Sequence, residues 1–194
     1  MTAAVIGVTF GVAYWAYDAA YTPLSTALVT LSGPALGLLG GPWLAAGVVS
    51  ALVIRRPGAA LLAELLASTV EAVLGNAWGW TTLLSGGLQG LGVELALGLF
   101  AFRRFGWPVA ALGGALAALF EFGYERQAYY ASWTLSNQLT YLALFALSGA
   151  VVAGVGGWLL TRALAATGAV DALPAGRASA AAAVDRRPAS TDAA

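Results

Sequence analysis

Apolar residues fall in six long blocks, at 3–21, 32–54, 59–75, 83–102, 107–123 and 136–162, separated by short polar or charged breaks. An α-helix needs about 20 apolar residues to cross the hydrocarbon core of a bilayer, so each block predicts one membrane span. Residues 22–31, with Pro23 and several Ser and Thr, read as a loop or a short re-entrant piece. Pro34, Pro42 and Gly40-Gly41 predict a kinked or broken start to the second span. From about Thr167 the chain turns to Ala, Pro, Ser, Asp and Arg with no periodic apolar face, a composition that predicts disorder. The expected architecture is an all-α membrane protein: a bundle of six transmembrane helices over residues 1–166 and a disordered cytoplasmic tail over residues 167–194.

Composition turns that pattern into a class. The chain is 60% hydrophobic and 9% charged, with a mean hydropathy of +0.80. A soluble chain of 194 residues cannot hide that much apolar surface in one core. Zero net charge and the lack of a basic run argue against nucleic acid as a partner. There is no Cys and no His, so disulfides, thiol catalysis, histidine acid–base chemistry and the common zinc sites drop out together. No Walker A sequence is present to cradle ATP. The glycine-rich run Gly86–Gly92 lies inside an apolar span and reads as helix packing. With no nucleophile–base pair, an enzyme is not expected, and nothing calls for a cofactor or a bound metal. The N-terminus lacks a basic leader and its apolar run can span, so no cleavable signal peptide is expected.

Arginines set the expected orientation. Six spans place Arg55, Arg56, Arg103, Arg104, Arg162, Arg177, Arg186 and Arg187 on one side and only Arg126 on the other. The positive-inside rule puts the first group, and both termini, in the cytoplasm. The outer side then gathers Tyr14–Tyr21, Asn76–Trp80 and Glu121–Trp133.

Residues 55–76 hold the densest chemistry. Arg55-Arg56-Pro57-Gly58 is a charged turn, and an apolar helix with two carboxylates follows it. Glu64, Ser68 and Glu71, at i, i+4 and i+7, share one helix face. Ionisable groups inside a membrane are expensive and face a protein interior or a cavity. A carboxylate beside indole and phenol rings suits a cationic or amine-bearing ring, through charge pairing, hydrogen bonds and cation–π contact. Candidates are Glu71, Glu121, Asn76, Asn137, Trp78, Trp133 and Tyr124, with Glu64 either in the site or a polar pin between helices. The tryptophans also suit an interfacial belt. Ala3, Gly7 and Gly11 form a small-residue stripe for close helix approach, inside the chain or against a partner.

Arg55-Arg56-Pro57-Gly58-Ala59-Ala60-Leu61, Glu64, Glu71, Leu74-Gly75-Asn76 and Gln89-Gly90-Leu91-Gly92-Val93-Glu94 resemble the YkoE family. These are substrate-binding S-components of energy-coupling factor (ECF) importers linked to thiamine and its hydroxymethylpyrimidine precursor. The resemblance runs from about Phe10 to Gly168 and is densest over residues 54–94. It implies a six-helix bundle with an outward vitamin pocket, partnered by a membrane coupling protein and two cytoplasmic ATPases. It implies that Ala3, Gly7 and Gly11 dock on the coupling protein. Glu71 with Asn76 or Asn137 would read the pyrimidine, Trp78, Trp133 or a Tyr such as Tyr124 would stack on a ring, and Glu121 would balance the thiazolium charge. The competing expectation is an ion- or proton-coupled secondary transporter of a small cationic solute, with the buried Glu residues as relay.

Overall fold

The computed structural model describes residues 1–185, in which every regular element is helical. In chain order these are α1 (Thr2–Leu31), two 3₁₀ stretches (Gly33–Leu39 and Gly41–Leu44), α2 (Ala45–Ile54), α3 (Ala59–Leu74), a 3₁₀ turn (Gly79–Thr81), α4 (Thr82–Gly98), α5 (Trp107–Ala128), α6 (Leu135–Ser148), π-helical turns (Gly149–Gly156), α7 (Gly157–Ala166) and α8 (Pro174–Asp185).

Three helical stretches are each long and apolar enough to cross a membrane: α1, α5 and the continuous Leu135–Ala166. The second span is broken as expected: Gly33–Leu39 and Gly41–Ile54 meet at a 40° bend, and together they can make a fourth crossing. Helices α3 and α4 have 16 and 17 residues, or about 25 Å each, and between them carry Glu64, Glu71 and Glu94.

Two expectations fail here. The loop at 22–31 is helix: α1 passes through Pro23 and ends only at Leu31. The Ser25 and Thr26 hydroxyls both donate to the Thr22 carbonyl, at 3.0 and 2.9 Å, and brace that turn. The tail over 167–185 is ordered. Gly168, at φ +79°, reverses the chain, and Pro174 opens α8. Val170 and Ala175 are buried with Val49 and Val53 of α2. A few apolar residues suffice because they close over a helix that is already apolar. The rest of the predicted tail, residues 186–194, lies outside the described residues.

Helix α2 is the centre of the bundle, with Ala46 through Val53 all buried. Around it α1 packs on α3, α3 on α4, α4 on α5, and α5 on the Gly149–Gly156 turns. Small residues permit these approaches. A Cβ on Gly92 would meet the Ala117 backbone at 2.6 Å, and one on Gly154 would meet Ala111 Cα at 2.5 Å.

The Ala3/Gly7/Gly11 stripe is spent on the same purpose. All three residues are buried. A Cβ on Gly7 would meet Leu66 Cβ at 2.7 Å, and one on Gly11 would meet the Ala67 carbonyl oxygen and Val70 Cβ at 2.6 Å. Helix α3 covers this face, so the expected docking of a partner on Ala3, Gly7 and Gly11 is replaced by packing within the chain. Gly11→Leu is accordingly expected to destabilise the protein by about 1–3 kcal/mol, the usual cost of overpacking. Ala13→Leu, on the exposed side of the same helix, should leave thermal unfolding unchanged. Melting curves of the two variants check this.

Candidate functional site

A break in a membrane helix leaves backbone N–H groups that need partners. At the start of α2 those partners come from α1 and α3. The Ala46 N–H donates to the Tyr14 hydroxyl at 2.8 Å, and the Gly47 N–H donates to Glu64 Oε1 at 2.7 Å. The Tyr14 hydroxyl in turn stands 3.4 Å from both Glu64 oxygens. Glu64 is wholly buried, at 0% exposure. It holds the broken helix and does not line a cavity, so of its two readings the structure takes the polar pin.

Beside this cap lies a cavity of about 130 Å³. Helix α1 contributes Tyr14 and Tyr21, the break before α2 contributes Gly40 and Trp43, and α3 contributes Ser68 and Glu71. Trp78 follows α3, α4 contributes Thr82, Ser85 and Gln89, α5 contributes Glu121 and Glu125, and Tyr129, Tyr130, Tyr141 and Phe145 close the far side. Two aromatic groups wall it. Trp43 meets Tyr17, Tyr21 and Trp78 edge-on, at centroid distances of 4.7, 5.0 and 5.6 Å. Opposite, Tyr130 packs on Trp133 at 4.3 Å and on Tyr141 at 4.7 Å.

The polar groups of the cavity are held in place. Glu71, 4% exposed, accepts from Asn76 Nδ2 at 3.1 Å. The Tyr141 hydroxyl donates to Glu125 Oε2 at 2.7 Å. Gln138 Nε2 donates to the Tyr130 carbonyl at 3.0 Å and to the Trp133 carbonyl at 3.3 Å, pinning the 130–133 turn. Burial first, and neighbouring Glu125 second, raise the Tyr130 phenol above its ordinary value, so it remains a donor. Among the groups lining the cavity, one acceptor is left over. Glu121 Oε2 is buried without a hydrogen-bond partner, a state that native proteins avoid unless a ligand or water completes it. Among the described residues, no group of three or more His, Cys, Asp or Glu side chains could hold a metal ion.

Of the residues expected in the site, Glu71, Trp78 and Glu121 line the cavity. Asn76 stands one shell out, bonded to Glu71. Trp133 backs Tyr130 without reaching the space. Tyr124 lies 3.4 Å from the Tyr129 hydroxyl, outside the lining. Asn137 is exposed in the first turn of α6, where its backbone N–H is taken by the Thr134 cap, and its side chain takes no part. The fold adds Trp43, Gln89, Glu125 and Tyr130. Glu125 had a signal, standing four residues after Glu121 on one helix face. Gln89 had one as an amide inside an apolar span. Trp43 had none, because its position depends on how the second span breaks.

Three comparisons with known proteins bear on this site. The family described as "ABC-type cobalt transport system, permease component" matches residues 1–120. The chain is 32% identical over 175 residues to the putative HMP/thiamine permease protein YkoE of Bacillus subtilis (strain 168), covering 89% of this chain and 86% of that one. A crystal structure described as an S-component of an ECF transporter superposes with a TM-score of 0.85 at 29% identity, covering 97% of this chain and 96% of that one.

Proposed function

The chain belongs to the YkoE family of ECF-transporter S-components, and on that premise we propose that it captures an aminopyrimidine, hydroxymethylpyrimidine or thiamine, from outside the cell. It is a membrane transport subunit and not an enzyme. In this reading all six apolar blocks cross the bilayer, with both termini in the cytoplasm, since Arg55, Arg56, Arg103, Arg104 and Arg162 lie at helix ends away from Glu71, Trp78 and Glu121, and Arg126 alone among the described arginines lies at the cavity end. Transport then needs a membrane coupling protein and two cytoplasmic ATPases. Docking falls to the outward face of α1, where Thr9, Ala13, Ala16 and Ala20 are exposed on the side opposite Gly7 and Gly11.

The observation that carries this reading is a ring-sized space between carboxylates and aromatic walls. A cavity of about 150 Å³ holds benzene, and this one measures about 130 Å³. It therefore encloses one six-membered ring. The aminopyrimidine is the ring that hydroxymethylpyrimidine and thiamine share, and its amine and ring nitrogens match the acceptors and donors present. Glu121 Oε2 and Glu71 accept from its N–H groups, Gln89 and Tyr130 donate to its nitrogens, and Trp43 or Trp78 lies against its face. The thiazolium of thiamine then sits in the mouth, near Glu125.

Titrating the detergent-purified chain with hydroxymethylpyrimidine, thiamine and cobalt(II), followed by tryptophan fluorescence and calorimetry, tests the proposal. Saturable submicromolar binding of both pyrimidines, with no competition from cobalt, is expected. Tight cobalt binding, or uptake driven by an ion gradient in liposomes holding this chain alone, overturns it.

A further inference from the structure

The side chain of Asn76 joins two walls of the cavity. Its Nδ2 donates to Glu71 Oε1 at 3.1 Å. Its Oδ1 accepts from the Trp78 N–H at 3.1 Å and from the Gly79 N–H. Trp78 and Glu71 both line the cavity and Asn76 does not. The segment between α3 and α4 is turned by Gly75 at φ +93° and Gly79 at φ +60°. A Cβ on either glycine would meet nothing within 4 Å. Left-handed backbone, not packing, is what calls for glycine there. Three sets of contacts bear directly on the position of Trp78. These are the Asn76 bonds, the Thr81 hydroxyl on the Trp78 carbonyl at 2.7 Å, and the ring's tilted and edge-on contacts with Tyr21 and Trp43 at 5.6 Å.

We propose that Asn76 is a positioning residue, a latch that ties the Gly75–Thr81 segment to Glu71 and so holds Trp78 closed over a bound ring. The inference rests on the binding function proposed above and adds how the ligand is retained. Its logic is the division of one amide: the carbonyl half shapes the turn, and the NH₂ half reports the place of the Glu71 carboxylate to it. Ligand that engages Glu71 steadies the acceptor of the latch, and the latch steadies Trp78.

Asn76→Ala and Asn76→Ser separate the two halves, since a serine oxygen can still accept from the turn N–H groups but has no NH₂ to give Glu71. Two measurements on the full chain decide the matter. One is stopped-flow dissociation of hydroxymethylpyrimidine, and the other is hydrogen exchange of the Trp78 and Gly79 amides without ligand. Loss of one hydrogen bond to a charged group corresponds to about 10- to 100-fold in dissociation rate for both variants, with association little changed. Amide exchange should quicken in Asn76→Ala and stay near wild type in Asn76→Ser. Faster dissociation in Asn76→Ala with unchanged exchange would make Asn76 an ordinary ligand contact and overturn the latch. Unchanged dissociation in Asn76→Ser would overturn it as well, by showing that the bond to Glu71 does nothing. A wild-type chain that binds neither hydroxymethylpyrimidine nor thiamine strikes the binding function itself. In that case the exchange data alone judge whether Asn76 holds the turn.

Discussion

Glu121→Gln is expected to lower affinity for hydroxymethylpyrimidine by about 10- to 150-fold, the ~1.5–3 kcal/mol carried by a hydrogen bond to a charged group. The same variant should melt at or above the wild-type temperature. Glu121 is 4% exposed and its Oε2 has no partner. The folded protein therefore carries an unpaired acceptor whose burial is costly. A neutral amide of the same shape is cheaper to bury, so the fold loses nothing, while a ligand amine meets a second donor where it needs an acceptor. Weaker binding with undiminished stability is the mark of a group kept for its ligand. Calorimetric titration and thermal unfolding of one preparation supply both numbers. Equal loss of binding and stability would make Glu121 a structural residue.

Glu64→Ala should act in the opposite sense. Two buried donors lose their acceptor, the Gly47 N–H and the Tyr14 hydroxyl. At about 1–3 kcal/mol for each orphaned group, the destabilisation is about 2–6 kcal/mol, before any term for the space left behind. Glu64→Gln keeps one acceptor oxygen and should recover most of that loss. Ligand binding should fall in Glu64→Ala too, because Tyr14 forms part of the cavity wall. That fall should be accompanied by a lower melting temperature, which separates Glu64 from Glu121. A Glu64→Ala protein that melts like wild type would show that the start of α2 does not depend on this carboxylate.

Glu64 and Glu121 also show why two buried glutamates cannot be told apart by sequence. Each is a carboxylate in an apolar helix with a second one further along it, Glu71 after Glu64 and Glu125 after Glu121, so each predicts a cavity equally well. The difference lies in what stands opposite. Glu64 meets free N–H groups of a helix that begins inside the bundle, and Glu121 meets open space. The small-residue stripe on α1 has the same ambiguity. Gly7 and Gly11 announce close approach of some helix, and only the packing shows that the helix is α3 of the same chain.

The membrane class, the six apolar blocks, the break near Gly40 and the acidic third helix are properties of the sequence alone. They follow from local rules: the length of apolar runs, the backbone limits of proline and glycine, and the cost of charge in hydrocarbon. The resemblance over residues 54–94 likewise needs no coordinates. The tertiary structure decided which polar groups share a space. It gathered Trp43, Gln89, the α5 pair Glu121 and Glu125, and Tyr130 around Glu71 and Trp78, left Asn137 and Tyr124 outside, and folded residues 167–185 over α2. Those outcomes depend on the crossing of helices far apart in sequence and on a 40° bend in the second span. No pattern along a single helix encodes the distance to a residue on another.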